Sequence, residues 1–296
     1  MGTVLPEQTS AQHVISLMVG QELVKRSSDE QATNGGAPES GEARQPLLEL
    51  TDLRARTRHT SAGRTDPDGV SLTVASGEIV GLAGLLGAGR TELLETVFGA
   101  ASGSAISGDM RWQGRRTFFR SPRQAMAAGV CFVPEDRKAA GLFFHHSVAS
   151  NLTASALHRM ARAGFVRRRS ERRLVRDLIN ELGIRTAGSS VLVGALSGGN
   201  QQKVVIGRQL MTEPRLLLLD DPTRGVDVGA KAEIYRVLRE LANTGLGVLM
   251  ASSELPELVE VCHRVVVLRQ GQVMADRPSA ELSQQAILAA AQGESI

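Results

Sequence analysis

The chain has 296 residues, of which 42% are hydrophobic and 22% charged, with a formal net charge of +3. This length suits one large domain or two small ones, and the small net charge does not indicate nucleic acid as a partner. No apolar run approaches the roughly 20 residues that a membrane-spanning helix needs, and no secretory signal is apparent. Cys131 and Cys262 lie in apolar, strand-like contexts, so we expect reduced core thiols.

The first 46 residues differ in composition from the rest of the chain. Residues 26–46 are polar and small, which is typical of a flexible linker. Before them, residues 9–25 have partial helical periodicity, so a generic amphipathic helix is one interpretation of that segment. We therefore expect a main domain over residues 47–296, preceded by a linker over 26–46 and a separate segment over 1–25.

The first motif is glycine-rich. Residues 84–91 read Gly-Leu-Leu-Gly-Ala-Gly-Arg-Thr, after an apolar strand predicted over 79–83 and before a helix-like segment. In this arrangement backbone N–H groups wrap phosphates and Thr91 can ligate magnesium. The stretch matches the P-loop pattern G-x-x-x-x-G-K-[ST] except at Arg90. A tight glycine turn without a ligand is the alternative, and an acidic strand further along the chain weakens it.

The remaining pattern alternates strands and helices. Strands are predicted over 47–53 and 70–74, and 109–114 reads as a hairpin strand of an antiparallel lobe. The segment 150–184 has a largely helical pattern. Further helices are predicted over 196–211, 228–243 and 280–291, with strands at 129–133, 215–220, 246–251 and 264–268. The pattern predicts an α/β fold, a P-loop NTPase core with an antiparallel β lobe and an inserted helical subdomain.

The predicted inserted helical subdomain contains a cluster of arginines. A solvated helix face explains it most simply, and contact with anionic lipid or with an acidic loop of a membrane subunit is the alternative. Nucleic acid is the least favoured partner, because Phe165 is the only aromatic residue nearby and base stacking needs several. The cluster comprises Arg159, Arg162, Arg167, Arg168, Arg169, Arg172, Arg173 and Arg176.

The second motif pairs a helix start with an acidic strand. Residues 196–203 read Leu-Ser-Gly-Gly-Asn-Gln-Gln-Lys, so Ser197 opens a helix whose unpaired N–H groups suit a phosphate. Residues 216–222 read Leu-Leu-Leu-Leu-Asp-Asp-Pro, a buried strand that delivers Asp220 and Asp221 to its carboxyl edge. Phosphate and magnesium sites lie at that edge in open α/β sheets. Together the motifs indicate a nucleotide-driven protein.

The order of these motifs resembles the nucleotide-binding domain of ABC transporter ATPases. Four segments resemble, more narrowly, the second ATPase domain of the tandem ATP-binding subunits of monosaccharide importers of the ribose, galactose and xylose type. The resemblance covers roughly residues 45–290, and residues 18–23 also resemble the tail that closes the first ATPase domain. The four segments are residues 135–138 (Glu-Asp-Arg-Lys), 196–203, 222–231 and 252–257.

The resemblance implies roles for individual residues, with ATP and Mg²⁺ as cofactors. Thr91 and Asp220 would hold the magnesium ion. Asp221 stands where the family places a catalytic glutamate, Glu135 where a glutamine is common, and Ser253 where a γ-phosphate-sensing histidine is common. The residues expected to bind the nucleotide are Gly84, Gly87, Gly89, Arg90 and Thr91 in this chain's own loop, and Ser197, Gly198, Gly199 and Gln201 toward a partner's nucleotide.

The departures from the family pattern argue against rapid hydrolysis at the chain's own loop. The planar fork of Arg90 suits a tight phosphate loop less well than a lysine ammonium does. Asp221 is one methylene shorter than glutamate, and misplacement by about 1 Å can cost on the order of a hundredfold in rate. Glu135 adds negative charge beside phosphates, and Ser253 cannot act as a cation. Residues 47–70 contain no aromatic residue that could stack on adenine.

In ABC ATPases two domains meet head to tail, so each ATP lies between one domain's P-loop and the other's Ser-Gly-Gly helix. The resemblance thus implies that this chain completes a partner's competent site. It also implies a second ATPase domain, homologous or a copy of the chain itself, transmembrane permease subunits, and indirectly a periplasmic or extracellular sugar-binding protein. The chain would be peripheral, on the cytoplasmic face of the membrane.

Two other interpretations stay open from the sequence. A non-transport ABC ATPase would share both motifs, although such proteins typically bring long coiled coils or paired domains. A catalytically weak or truncated pseudo-ATPase, left without a first domain, also fits the altered residues. The sequence does not identify the sugar.

Overall fold

The computed structural model describes residues 45–56, 63–101, 105–157, 161–162, 165–166 and 168–294. The predicted segment over 1–25 lies outside these residues, as does the predicted linker apart from Gln45 and Pro46. The first strand begins at Pro46, one residue before the expected domain boundary. Across the described ranges, no helix is both long and apolar enough to cross a bilayer.

In the described part of residues 45–294, strands form two large sheets and one two-stranded hairpin. The antiparallel sheet has the order β2-β1-β4-β5, which confirms the predicted antiparallel lobe. Its strands are β1 (Pro46–Arg56), β2 (Asp68–Ala75), β4 (Ala105–Trp112) and β5 (Arg115–Arg116). The larger sheet has the order β12-β11-β3-β10-β9-β6. Its strands are β3 (Ile79–Ala83), β6 (Val130–Val133), β9 (Leu216–Asp220), β10 (Gly247–Ala251), β11 (Arg264–Arg269) and β12 (Gln272–Pro278).

The large sheet is parallel from β11 to β6, and only β12 pairs antiparallel at its edge. Its central strands are fully buried, because both faces are covered. Alternate residues of β9 enter two cores: Leu217 and Leu219 face a helical layer, whereas Leu216 and Leu218 face the antiparallel lobe. This alternation follows from the period of two in a strand.

The helices connect these strands. They are α1 (Arg90–Phe98), α2 (Pro122–Ala127), α3 (Val148–Thr153), α4 (Arg168–Glu181), α5 (Gly198–Leu210), α6 (Val228–Asn243), α7 (Leu255–Val261) and α8 (Gln284–Gln292). The predicted helices over 196–211, 228–243 and 280–291 correspond to α5, α6 and α8. Between β6 and β9, α3, α4 and α5 form the inserted lobe, and its contacts include α5 with α3 and α3 with α4.

The structure corrects the pattern at several places. The segment 150–184 is less helical than predicted, because a short hairpin of β7 (Ala161–Arg162) and β8 (Phe165–Val166) interrupts it. Two-residue strands carry no periodic signal. Strand β12 was also missed, since most of its residues are exposed at a sheet edge and few are apolar. The short helices α2 and α7 were missed because six or seven residues span barely two turns, whereas α3 overlaps the start of the predicted helical segment over 150–184.

Candidate functional site

The glycine-rich loop joins β3 to α1, and space and conformation both require its glycines. Gly87 and Gly89 have φ values of 78° and 99°, a region that favours glycine. A Cβ on Gly84 would lie 2.6 Å from the Cβ of Ala88 and 2.7 Å from the carbonyl oxygen of Leu268. The loop thus packs tightly against the end of β11 and turns into the N-terminus of α1, the geometry that presents backbone N–H groups to a phosphate.

The two predicted magnesium ligands lie together at the sheet edge. Thr91 is in the first turn of α1, Asp220 is the last residue of β9, and the Thr91 hydroxyl donates to Asp220 Oδ1 at 3.1 Å. Burial raises the pKa of Asp220 to about 6, although the Thr91 hydrogen bond acts in the opposite direction. A hydroxyl and a buried carboxylate fit Mg²⁺, which proteins usually hold through one or two carboxylates together with substrate phosphates.

Asp221 and Ser253 also meet at this edge. The Ser253 N–H donates to Asp221 Oδ1 at 2.5 Å, and the Asp221 N–H donates to the carbonyl oxygen of Ala251 at 3.0 Å. Asp221 has a φ of 41°, which is uncommon for a residue other than glycine. The structure therefore brings these two predicted catalytic residues into contact with each other.

Arg90 reaches across the sheet edge to the segment after β10, where it donates to the backbone carbonyl of Ser252. The Ser252 hydroxyl in turn donates to the carboxylate of Glu257 at 2.9 Å. Glu257 is only 4% exposed and also accepts from Thr223 at 2.7 Å and Lys231 at 2.9 Å. A chain of polar contacts thus runs from the phosphate loop to the residues that follow β9.

Sequence reasoning assigned no role to Glu257. Two of its donors, Thr223 and Lys231, lie more than 20 residues away in the chain, where no local pattern reveals them, and the third, Ser252, lies in its own segment. The only signal was its place at the end of the 252–257 segment, one of the four that carried the family resemblance.

Glu135 lies in the loop after β6, and its carboxylate pairs with Arg224 in the loop that follows β9. Arg224 is mostly exposed, whereas Glu135 is about one-third exposed. The contact that the structure gives Glu135 is therefore with another loop of the same chain.

The Ser-Gly-Gly motif forms the start of α5, as predicted. Ser197 is the exposed N-cap residue, and its hydroxyl accepts from Asn200 Nδ2 at 2.9 Å rather than from a helix N–H. Gly199 is buried against α6, and a Cβ there would lie 2.3 Å from the Cβ of Ala230. Gln201 is buried and donates to the carbonyl oxygen of Leu196 at 3.0 Å. Its side chain supports the loop before the helix, and its role toward a partner's nucleotide stays a prediction.

The chain has the fold of a P-loop NTPase of the ATP-binding cassette type. Its mostly parallel sheet carries a glycine-rich loop after β3 and two aspartates at the end of β9, and the last helix of its inserted lobe begins at Ser-Gly-Gly. Solved structures share this fold. A nucleotide-free ATP-binding cassette from an ABC transporter superposes with a TM-score of 0.67 at 21% identity, over 82% of this chain and 95% of that one. An ATP-binding cassette in its ADP conformation also gives 0.67, at 22% identity, over 84% of this chain and 99% of that one.

The family model described as ABC transporter matches residues 67–224, and the chain belongs to this family. A ribose import ATP-binding protein of Burkholderia cenocepacia is 42% identical over 99% of this chain and 54% of its own length. One from Geobacillus kaustophilus is 42% identical over 99% of this chain and 56% of its own length. The chain therefore spans about half the length of the curated relatives it matches.

Proposed function

We propose that the chain is the ATP-binding subunit of a monosaccharide importer and couples ATP binding and hydrolysis to membrane transport. The observation that carries the proposal is the contact of Thr91 with the buried Asp220 beside the glycine loop, an arrangement suited to a magnesium nucleotide. Relatives named for ribose import, matched over 99% of the chain, support a monosaccharide as the cargo.

ATP and Mg²⁺ are the proposed cofactors. The amides of the 84–91 loop would bind the phosphates, and Thr91 and Asp220 would hold the ion. When bound, Mg²⁺ neutralises charge that develops on the phosphates. Asp221 would orient the attacking water, because it lies directly after Asp220 at the same sheet edge.

We propose that hydrolysis at this chain's own loop is slow. Arg90 is held by the Ser252 carbonyl, Asp221 by the Ser253 N–H, and Glu135 by Arg224. Binding a nucleotide productively requires these groups to leave their present partners, and each exchanged hydrogen bond reduces the net gain. The start of α5 needs no such exchange, because the Ser197 side chain is exposed and does not cap the helix.

The chain's main role would then be to complete the competent site of a second ATPase domain with Ser197, Gly198 and Gly199. That domain is either homologous or a second copy of the chain. Transmembrane permease subunits would be the direct partners in transport, with a sugar-binding protein acting through them. The expected location is the cytoplasmic face of the membrane, as a peripheral subunit, with residues 1–46 preceding the ATPase domain as a tail and linker.

The test is steady-state Mg-ATP turnover by the purified chain, alone and co-expressed with the part of the Geobacillus kaustophilus relative that the chain does not match. Asp221→Asn, prepared in parallel, exposes contaminating activity. We expect little turnover from the chain alone and a clear increase with the partner part. Turnover by the chain alone at the Asp221→Asn level, together with no increase when the partner part is present, would favour a pseudo-ATPase, for which the engaged Arg90 and Asp221 also argue.

A further inference from the structure

The loop after β6 contains Glu-Asp-Arg-Lys at 135–138, a motif to which the proposed chemistry gives no role beyond Glu135. Its backbone is well anchored. Asp136 accepts from the N–H groups of Lys138 at 2.7 Å and Ala139 at 3.0 Å, and so caps a short π-helical turn over Arg137–Gly141. A Cβ on Gly141 would lie 3.2 Å from the Cβ of Arg137, so the two ends of this turn are in close contact. The Arg137 side chain therefore leaves the backbone from a defined position.

The guanidinium of Arg137 binds two consecutive backbone carbonyls in the 222–227 loop, the segment between β9 and α6. Nη1 donates to the carbonyl oxygen of Arg224 at 2.6 Å, and Nη2 donates to that of Gly225 at 3.1 Å. The ion pair of Glu135 with the Arg224 side chain reinforces the contact. Because the donor fork of arginine is planar and rigid, two such bonds fix both the distance and the orientation of the loop.

The same guanidinium lies against the first residue of α5. A Cβ on Gly198 would lie 2.9 Å from Arg137 Nη2 and 3.1 Å from the carbonyl oxygen of Gly225. Gly198 shows no left-handed φ, so space rather than backbone conformation requires glycine there. Arg137 thus occupies the gap between the Ser-Gly-Gly helix start and the 222–227 loop.

We propose that Arg137 is a positioning residue that sets the spacing between the start of α5 and the 222–227 loop. This inference rests on the proposed function, in which Ser197 and its neighbours complete a partner's site. Arg137 does not act on the nucleotide itself. From the loop after β6, its side chain fixes the distance between the start of α5 and the 222–227 loop. The partner domain would contact the start of α5 at that spacing.

Amide hydrogen exchange of the purified full chain, followed by mass spectrometry, tests the contact of Arg137 with the 222–227 loop without any partner. In Arg137→Met we expect peptides over 222–228 to exchange about tenfold faster, the size of effect typical for loss of hydrogen bonds to a charged group. Arg137→Lys should be intermediate, because an ammonium lacks the two-pronged geometry. The matched control is Arg236→Met, which removes an exposed arginine paired with Glu240 on α6 and should leave these peptides unchanged. Unchanged exchange in Arg137→Met would overturn the proposal.

Gly198→Ala provides an independent second variant, in case Arg137→Met does not fold. Its new methyl group displaces the guanidinium without deleting it, so exchange over 222–228 should rise as well. Combined with Arg137→Met, it should add little, because the group that it displaces is already gone. Fully additive effects of the two substitutions would contradict a shared mechanism.

The functional measurement is ATP turnover of the chain co-expressed with the region of the Geobacillus kaustophilus relative that the chain does not match. We expect Arg137→Met to lower kcat about tenfold, with KM for ATP within about twofold, because misplacing a loop weakens the transition state more than ground-state binding. Arg137→Lys should recover part of kcat. Faster exchange with unchanged kcat would contradict the positioning role.

Ser197→Arg separates the two proposals. If turnover stays intact in both Ser197→Arg and Arg137→Met, the composite site itself is wrong. If turnover is lost in Ser197→Arg but not in Arg137→Met, only the role of Arg137 is wrong.

Discussion

The polar side chains at the sheet edge around the 84–91 loop and those at the start of α5 have different hydrogen-bond partners. At the sheet edge, Arg90, Asp221 and Asp220 each bind another group of the same chain. At the start of α5, Ser197 is exposed and bonds only within its own turn, to Asn200. Both regions carry phosphate-binding motifs, yet the polar side chains at the sheet edge bind groups on other segments, whereas the Ser197 side chain bonds within its own turn.

This difference concerns the contacts that each region makes before a nucleotide binds. At the sheet edge, the side chains of Arg90 and Asp221 must exchange existing hydrogen bonds before they can bind a nucleotide, which reduces their net contribution. A helix start whose N-cap side chain leaves the first-turn N–H groups uncapped keeps its full attraction for an anion.

The largest expected effect comes from Ser197→Arg. A long cation at the N-cap would block the approach of a partner's nucleotide and repel the positive end of the helix. We expect turnover with the partner part, and transport by the assembled importer, to fall by at least about a hundredfold. Arg90→Ala, the matched change at the sheet edge, should cost much less. Equal losses from the two variants would remove the asymmetry between the regions.

Glu257→Gln should destabilise the sheet edge by about 2–3 kcal/mol, because it removes the charge from a buried carboxylate that accepts from Lys231, Thr223 and Ser252. Urea unfolding measures this difference. The control is Glu240→Gln, whose exposed partner is Arg236, and which should change stability by less than about 0.5 kcal/mol. Equal effects from the two variants would mean that Glu257 supports nothing at the sheet edge.

The Glu257 effect has a defined pH dependence. Burial alone would raise the pKa of Glu257, but the donors around it outweigh burial and lower it. A carboxyl with a lowered pKa in the folded state contributes stability above its unfolded value of about 4.3, and this contribution is lost as the pH falls through the folded pKa. The stability gap between the wild type and Glu257→Gln should therefore be flat from about pH 6 to 8 and shrink below about pH 4. A gap that widens in acid would contradict the assignment.

Gly199→Ala tests the packing that holds α5 in place. Its methyl group would meet the Cβ of Ala230 at 2.3 Å, and overpacking of this kind costs about 1–3 kcal/mol. Gly229 occupies the equivalent second position of α6, where an added Cβ meets only Asp227 Oδ1 at 3.5 Å. Gly229→Ala should therefore be neutral or stabilising by up to about 1 kcal/mol. Thermal unfolding of both variants measures the contrast, and a stable Gly199→Ala would show that α5 can move away from α6.

The smallest effect is expected from Arg90→Lys. A lysine ammonium is more compact and suits the phosphate loop better, so ATP affinity of the chain should improve about two- to fivefold. Equilibrium titration with a fluorescent ATP analogue in the presence of magnesium measures it. Arg90→Met serves as the comparison that loses the charge altogether. Weaker binding by Arg90→Lys than by the wild type would show that the arginine is adapted to the nucleotide.

The sequence by itself determined the fold class and the placement of both phosphate motifs. The four leucines of 216–219 predict a buried strand, and Gly87 and Gly89 predict a tight loop, because these signals are local and arise from burial and backbone freedom. The contact of Thr91 with Asp220 also followed, since the carboxyl ends of parallel strands share one edge.

Only the tertiary structure decided how these groups are used. Three sets of contacts join segments that lie far apart in the chain: Arg90 with Ser252, Arg137 with the 222–227 loop, and Glu257 with Thr223 and Lys231. The inward turn of Gln201 likewise depends on the loop packed beside it. Hydrogen bonds between distant side chains leave no periodic or compositional trace, so they become visible only when the sheet and the inserted lobe bring their partners together.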